Sequence, residues 1–147
     1  MDDSIIAYVE GVTYANQDGT RRQEIIGKCK KGDELILLRE PGNPYDINTI
    51  KVCTLKKRGF LSRLLRRKPD LSQLGYLSKY VASRIAPLMD EGVLVEVVVN
   101  DIEQSEKVET TQSGTMIEMI HECLVKITAK NIKWDKDQNP VPSEQSN

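Results

Sequence analysis

A short segment of this 147-residue chain places a tyrosine and a carboxylate in a stiff loop. Residues 39–52 read Arg-Glu-Pro-Gly-Asn-Pro-Tyr-Asp-Ile-Asn-Thr-Ile-Lys-Val. Each proline fixes its own φ angle and keeps the preceding residue out of the helical region. Binding groups often lie on loops that rigid strands hold in place, so Tyr45 and Asp46 are candidate ligand contacts. The alternative is a structural turn, in which Asp46 and Asn48 cap only the local backbone.

Catalytic chemistry has few candidate groups in this sequence. His121 is the only histidine, and Cys123 follows it two residues later. Two residues do not make a catalytic zinc site, which usually has three protein ligands. Asp46 is the only acid between Pro41 and Val52, so a reaction with paired carboxylates lacks an obvious second member. The phosphate-binding and serine-nucleophile motifs are absent. We therefore predict a structural role for His121 and a non-enzyme with no catalytic residue, metal or cofactor.

Composition predicts one soluble globular domain. Hydrophobic residues make up 39% of the chain and charged residues 29%, which is typical of such domains. No apolar run approaches the roughly 18 residues of a membrane span, and Met-Asp-Asp-Ser does not begin a signal peptide. Three widely spaced cysteines, an odd number, predict reduced thiols without disulfide or zinc. We expect a cytoplasmic protein without an integral membrane segment.

Hydrophobic patterns predict the elements that position the loop. Strands are expected at 5–14, 33–40, 50–55, 74–77, 93–99 and 117–127. Residues 23–26 fit either a short strand or one helical turn. The one clear helix is expected at about 79–91, with Ser78 as N-cap and with a kink or break at Pro87. Residues 102–115 are predicted to be a polar loop, and residues 135–147 a disordered tail.

The net charge of −1 conceals a basic block. Residues 51–79 hold nine Lys or Arg and one acid, whereas the rest of the chain holds twelve bases and twenty-one acids. The insertion 56–69 is predicted to form a basic amphipathic helix at about 57–68. It could contact nucleic acid, an anionic membrane or a partner protein, or be a mobile insert. Its basic residues are Lys56, Lys57, Arg58, Arg63, Arg66, Arg67 and Lys68.

Several motifs occur in the order found in one domain family. Two precede the loop: Gly-Val-Thr-Tyr at 11–14 and Asp-Gly-Thr-Arg-Arg-Gln at 18–23. The third is the run 32–52, which begins Gly-Asp-Glu-Leu-Ile-Leu-Leu and continues through the loop. The last two are Leu-Gly-Tyr-Leu-Ser-Lys-Tyr-Val-Ala at 74–82 and Ile-Ala-Pro-Leu-Met-Asp at 85–90. Together they closely resemble the HIRAN domain over about residues 5–102. The resemblance implies a modified oligonucleotide-binding-type β-barrel. In relatives fused to SWI/SNF-type translocases, this domain grips the 3′-hydroxyl end of single-stranded DNA.

The resemblance also implies roles for single residues. Tyr45 would stack on the terminal base, and Asp46 would accept a hydrogen bond from the 3′-hydroxyl. Asn43 would help fix the loop and touch the DNA backbone. Tyr14, on the first strand, would be the second stacking aromatic, and Lys79 would contact phosphate.

The sequence departs in several places from the DNA-end binders that it resembles. Thr13 stands where those proteins carry arginine, and Arg22 or Arg21 in the neighbouring loop is the candidate replacement. Residues 103–116 contain no aromatic side chain, although one is expected in that loop. The chain shows no ATPase motif, so any remodelling would require a helicase, nuclease or translocase partner.

The combined prediction is a mainly β (α+β) protein. Residues 1–134 are expected to form a small modified OB-like β-barrel with the insertion 56–69. The predicted function is binding of single-stranded DNA or its 3′-hydroxyl end, in DNA repair or replication-linked processes. The alternative is a protein-interaction or membrane-surface adaptor that uses the same fold and the basic insertion.

Overall fold

The computed structural model describes residues 1–55 and 70–143. Its elements are β1 (Ser4–Glu10), α1 (Arg22–Gly27), β2 (Glu34–Arg39), β3 (Ile50–Leu55), β4 (Leu71–Leu77), α2 (Lys79–Asp90), β5 (Val95–Thr111), β6 (Gly114–Ala129), β7 (Ile132–Trp134) and β8 (Pro140–Pro142).

Six antiparallel strands close into a barrel in the order β1-β4-β3-β2-β5-β6. Apolar side chains from all six strands and both helices fill a single core. The alternation of buried and exposed positions along β1 and β4 shows the period of two that a half-buried strand requires. The prediction of a mainly β protein with a small OB-like barrel is therefore confirmed.

Gly75 explains why the Gly-Tyr-Leu motif of β4 needs its glycine. A Cβ atom at this position would lie 2.3 Å from the carbonyl oxygen of Glu10 and 2.7 Å from Cγ1 of Val9. Both atoms belong to β1, which pairs with β4 at Val9–Leu77 and Glu10–Tyr76. Only a residue without a side chain lets the two strands approach this closely.

The strand register defines two ends of the barrel. Arg39 pairs with Ile50 at the end where residues 40–49 connect β2 to β3, which we call the loop end. Leu55 pairs with Leu71 at the opposite end, where the insertion 56–69 connects β3 to β4. We call this the insert end. Each end therefore carries one of the two segments that the sequence singled out.

Helix α2 lies across the loop end. The Ser78 hydroxyl caps it by accepting a hydrogen bond from the backbone N–H of Val81 at 3.1 Å. Pro87 lies in the last turn and does not divide the helix, which runs unbroken from Lys79 to Asp90. The helix is not broken at Pro87, one of the two predicted outcomes, because the missing N–H of proline removes a single hydrogen bond. The carbonyl of Pro87 still accepts from the N–H of Glu91 at 3.0 Å.

The region expected to be a polar loop at 102–115 is instead a long β-hairpin. Strand β5 continues to Thr111, and β6 begins at Gly114 and pairs with it along its length. Both strands extend past the barrel at the insert end, since Glu34, the first residue of β2, pairs with Val98. We call residues 101–122 the arm. Its side chains are polar on much of both faces, so the pattern lacks the alternation that identifies a half-buried strand.

The first strand and the following segment also differ from the prediction. Strand β1 ends at Glu10 rather than at 14, because Gly11 adopts a φ of 72°. Residues 22–27 form the short helix α1, which resolves the two alternatives for 23–26. Ile26 of this helix is fully buried in the core.

The tail was predicted to be disordered from residue 135, but residues 135–143 are folded. Strands β7 and β8 pair, with Trp134 opposite Pro140. The Asp135 carboxylate accepts hydrogen bonds from the backbone N–H groups of Asp137 and Asn139 at 2.8 and 2.9 Å. Composition alone missed this hairpin, because its order comes from capping and from burial of Trp134, which has 0% exposure.

The predicted helix at 57–68 lies outside the described residues. Among those that the structure describes, no helix is long and apolar enough to cross a membrane.

Candidate nucleic-acid interface

The loop at 40–49 is held in shape by its own side chains. The side-chain oxygen of Asn43 accepts hydrogen bonds from the backbone N–H groups of Tyr45 and Asp46, at 2.9 and 3.3 Å. One carboxylate oxygen of Asp46 accepts from the N–H of Asn48 at 2.9 Å. Its other oxygen has no hydrogen-bond partner among residues 1–55 and 70–143. Tyr45 is 92% exposed, so the loop fixes a free aromatic ring beside a carboxylate.

Arg39 anchors this loop to α2. Its guanidinium donates from Nη1 to the carbonyl oxygens of Ile47 and Thr49 at 3.0 and 3.1 Å. The same group makes a two-pronged contact with the carboxylate of Asp90, at 3.0 and 3.1 Å. This hydrogen-bonded pair raises the pKa of Arg39 and lowers that of Asp90. The planar fork of arginine is suited to such a contact, and it joins the loop to the last turn of the helix.

Glu40 joins the loop to the strand β3. Its carboxylate accepts a hydrogen bond from Nδ2 of Asn43 and forms an ion pair with Nζ of Lys51, both at 2.9 Å. The hydrogen bond from Lys51, followed by that from Asn43, lowers the pKa of Glu40. Both charged side chains remain about one-third exposed, so this pair positions the groups more than it stabilises the fold.

A second aromatic group lies around Gly11. A Cβ atom built on Gly11 would be 3.7 Å from ring atoms of both Tyr14 and Tyr76. The guanidinium of Arg22 lies over the Tyr76 ring, 5.3 Å from its centroid. Tyr76 is also paired across the strands with Lys51. The contacts of Glu40, Lys51 and Tyr76 therefore connect the 40–49 loop to this second group.

A groove of about 470 Å³ runs over the outer face of β2, β3 and β4. It extends from Glu40 near the loop end to Leu71 at the insert end, and the loop 15–18 forms one side. Its described lining contains two cations, Arg22 and Lys51, and two carboxylates, Asp18 and Glu40. The groove therefore offers an aromatic and polar surface with little net charge.

Comparison with known proteins identifies this arrangement. Residues 7–116 match the HIRAN domain. The chain belongs to the HIRAN domain family. HIRAN domains are known as DNA-binding modules rather than catalytic ones. No curated protein matches the chain.

Two solved structures are similar to this HIRAN domain. The crystal structure of the HIRAN domain of human HLTF is 22% identical, and the match covers 86% of this chain and 77% of the other, with a TM-score of 0.46. The crystal structure of a protein from Lactobacillus plantarum is also 22% identical. That match covers 85% of this chain and 98% of the other, with a TM-score of 0.49.

The structure places the predicted contact residues of this HIRAN domain in different settings. Asn43, Tyr45 and Asp46 share the 40–49 loop, as the motif indicates. Tyr14 lies in the loop after β1 rather than on the strand, and it is 69% exposed. Lys79 is exposed at the first position of α2. The seven basic residues of the insertion lie outside the described parts of the chain.

Arg22 does not fit the expected role of a free phosphate contact. Only 7% of the residue is exposed. Its Nε donates to the side chain of Asn16 at 2.7 Å, and its Nη1 donates to the carbonyl oxygen of Gly11 at 2.8 Å. Arg22 thus holds the loop that carries Tyr14, and any contact with a ligand would come from the part of its side chain that borders the groove.

Sequence reasoning missed several residues that shape the site. Arg39, Glu40 and Lys51 lie within the 39–52 segment, but their sequence positions do not predict their partners. The contact of Arg39 with Asp90 depends on the placement of α2. The contact of Glu40 with Lys51 depends on the pairing of β2 with β3. The sequence places Tyr76 in the Gly-Tyr-Leu segment but predicts no separate role for it. Its position next to Lys51 follows from the β3–β4 register. A regular strand pattern predicts which residues face outward, but it does not predict which strands become neighbours.

The remaining His, Cys, Asp and Glu side chains do not form a metal site in the described ranges. The structure shows no group of three or more His, Cys, Asp or Glu residues that could hold a metal within 1–55 and 70–143. The three cysteines are free, and burial raises the pKa of Cys123 to about 12. The backbone N–H and carbonyl of His121 bond to the Gln23 side chain at 2.8 and 3.0 Å, which ties β6 to α1.

Proposed function

We propose that this HIRAN domain is a non-enzymatic module that binds single-stranded DNA and recognises its 3′-hydroxyl end. The observation that carries the proposal is the 92% exposed ring of Tyr45 beside the half-buried Asp46. Both groups are fixed by Asn43 and Arg39 before any ligand arrives. Membership of a family of DNA-binding modules supports the same ligand class.

The two side chains perform complementary tasks in this proposal. An exposed tyrosine ring stacks on a base of any sequence, with about 1–3 kcal/mol per base. A carboxylate repels phosphate but accepts a hydrogen bond from a hydroxyl. Asp46 has one oxygen engaged with the backbone of Asn48, which leaves the other for the terminal 3′-hydroxyl. The pair would therefore distinguish a strand end from a continuing strand.

The groove gives the bound strand a direction. Its 3′ end would lie at the 40–49 loop, and the preceding nucleotides would follow the groove past Tyr76 towards Leu71. Tyr14 would provide a second stacking surface, and Lys79 a phosphate contact. The insertion 56–69 connects strands at the insert end and carries seven Lys or Arg. We propose that it adds the positive charge that the groove itself lacks.

This activity would place the protein in DNA repair or replication-linked processes, together with a helicase, nuclease or translocase. The chain contributes recognition of the end, and the partner contributes the chemistry or the movement. We propose a cytoplasmic location.

The test compares oligonucleotides that differ only at the 3′ terminus. We expect the chain to bind a 3′-hydroxyl strand about 10-fold or more tightly than a 3′-phosphate strand in fluorescence anisotropy, the range given by one charged hydrogen bond. Asp46→Asn keeps an oxygen that can accept from the N–H of Asn48 while removing the charge. It should therefore abolish the preference without unfolding the loop.

Tyr45→Ala tests the stacking separately. We expect this variant to bind both oligonucleotides about 5-fold or more weakly, since one base no longer stacks on the tyrosine ring. Tyr8→Ala is the matched control, because Tyr8 is also exposed but donates a hydrogen bond to Glu103 of the arm. Equal affinity of the wild-type chain for the two termini would refute end recognition. DNA binding that survives Tyr45→Ala unchanged would refute the site.

A further inference from the structure

The arm has an open edge along β5. Strand β6 covers one edge of β5 over the whole length of the arm. Strand β2 covers the other edge only at Val97 and Val98, inside the barrel. Among residues 1–55 and 70–143, no strand pairs with that second edge between Asp101 and Thr111. A free edge presents backbone N–H and C=O groups to which another strand can pair.

The hydrogen bonds of His121 show which residues of β5 face this open edge. The side-chain amide of Gln23 accepts from the backbone N–H of His121 at 2.8 Å and donates to its carbonyl oxygen at 3.0 Å. The backbone groups of His121 therefore point away from β5, and those of its partner Gln104 point away from β6. The same orientation recurs at every second residue of β5, which places at the open edge the backbone groups of Glu106, Val108 and Thr110.

The charges along this edge favour a second copy of the same strand in one register. When two copies of β5 pair antiparallel about Val108, Lys107 of each copy lies opposite Glu109 of the other. In the same register Glu106 lies opposite Thr110. Symmetric pairing about 106, 107 or 109 instead places a charged side chain opposite its own copy. Opposite charges across an antiparallel pair attract and like charges destabilise it, so the charge pattern selects the register about Val108.

The side chains on both faces of the arm fit this register. Val108 and Ile117 are directly opposite each other in one chain, with exposures of 57% and 63%. Pairing about Val108 joins them to the same two residues of the second copy in one apolar row across four strands. On the other face, Lys107 already lies opposite Glu118, and Glu109 of the second copy would flank it on the open side. Lys107 and Glu109 are both about half exposed in the single chain, so both are accessible to this contact.

The length of the arm matches the paired segment. Pairing about Val108 places Gln112, at the tip of one arm, opposite Gln104 of the other. The tip therefore ends before Val99, whose backbone bonds to Gly32 and Asp33 at 2.8 and 2.9 Å. The shared segment 104–112 is about nine residues long, or roughly 30 Å. Because the strands run antiparallel, the two barrels lie at opposite ends of the shared sheet.

We propose that the open β5 edge of the arm is a dimerisation surface for a second copy of this chain, paired antiparallel about Val108. The dimer has a two-fold axis and a four-stranded sheet in the order β6-β5-β5-β6. Edge pairing of this length buries less surface than an obligate dimer does, so the association is weak and depends on concentration. This inference uses residues that the proposed DNA contacts do not include, and it does not depend on DNA binding.

The experiment measures sedimentation velocity of the whole chain from low-micromolar to millimolar concentration, at low salt and without DNA. Lys107→Glu and Glu109→Lys each place like charges opposite each other twice in the dimer. Each variant alone should therefore dimerise about 10-fold or more weakly than the wild type. An equimolar mixture of the two variants restores both pairs of opposite charges. The mixture should associate as a heterodimer with about the wild-type affinity, which a fluorescent label on one variant detects and which also shows that the variant arms are folded.

Val108→Pro tests the backbone pairing. It removes the N–H that points out of the open edge, and both hydrogen bonds at the centre of the interface with it, while leaving the hydrogen bonds between β5 and β6. It should weaken the dimer by about 10-fold or more. Ile117→Pro is the matched control, because its N–H points out of the opposite edge of the arm, and it should retain the dimer. A chain that stays monomeric up to millimolar concentration, a dimer that survives Val108→Pro, or a mixture of the two charge variants that does not associate would overturn the proposal.

Discussion

At the scale of single residues, Gly75 limits how closely β1 and β4 can approach. A methyl group there meets the backbone oxygen of Glu10 at 2.3 Å, and a backbone atom in a paired strand cannot rotate away. We expect Gly75→Ala to lower the free energy of unfolding by about 1–3 kcal/mol, the usual cost of overpacking, as measured by urea denaturation. Gly42→Ala is the control, since a Cβ at Gly42 has no neighbour within 4 Å. Equal stability of the two variants would contradict the close approach.

At the scale of elements, the 40–49 loop is tied to its surroundings by ionised groups, which predicts a pH dependence. Lys51 and Asn43 bond the charged form of Glu40, so its pKa in the folded protein is below the ordinary 4.5. These contacts stabilise the fold fully when the pH is above the pKa of Glu40 in the unfolded chain. The stabilisation is lost as the pH falls through the lower pKa of Glu40 in the folded protein. We expect an NMR titration of the Glu40 carboxyl to show a midpoint below 4.5 that moves upward in Lys51→Met. Lys133→Met, which removes the partner of Asp3, should leave it unchanged. An identical Glu40 midpoint in wild type and Lys51→Met would contradict the contact.

At the scale of the whole molecule, positive and negative charge are separated along the chain. The described groove lining balances two cations against two carboxylates, so the proposed DNA affinity should depend on salt mainly through the insertion. Binding of DNA weakens as salt rises, so a plot of the logarithm of the association constant against the logarithm of the salt concentration has a negative slope. Replacing 56–69 with a linker should make this slope less negative by about 0.7 for each DNA phosphate that the insertion neutralises. Anisotropy titrations between low and physiological salt measure this slope. Lys126→Gln, an exposed change on β6, should leave it unaltered. An unchanged slope in the linker variant would remove the insertion from the interface.

The sequence by itself determined the features that depend on short-range chemistry. Alternating apolar residues predicted most of the barrel strands, the Ser78 cap predicted the start of α2, and the Asn-Pro-Tyr-Asp turn predicted a rigid loop. Each of these depends on contacts between residues close in the chain, whose types are enough to indicate the local conformation. The ordered motifs also predicted the HIRAN family, which the comparison confirmed.

Only the tertiary structure decided which distant residues meet. Arg22 was the candidate phosphate contact, but it is largely buried. Gly11 and Asn16 of the preceding loop accept its hydrogen bonds, and Tyr76 of the distant strand β4 lies under its guanidinium. The arm looked like a loop because its side chains are polar on much of both faces, and its order comes from pairing across the two strands. Residues 135–143 looked disordered until the burial of Trp134 and the caps of Asp135 held them. In each case part of the free energy comes from packing or backbone pairing with another segment, which a local pattern of residue types does not encode.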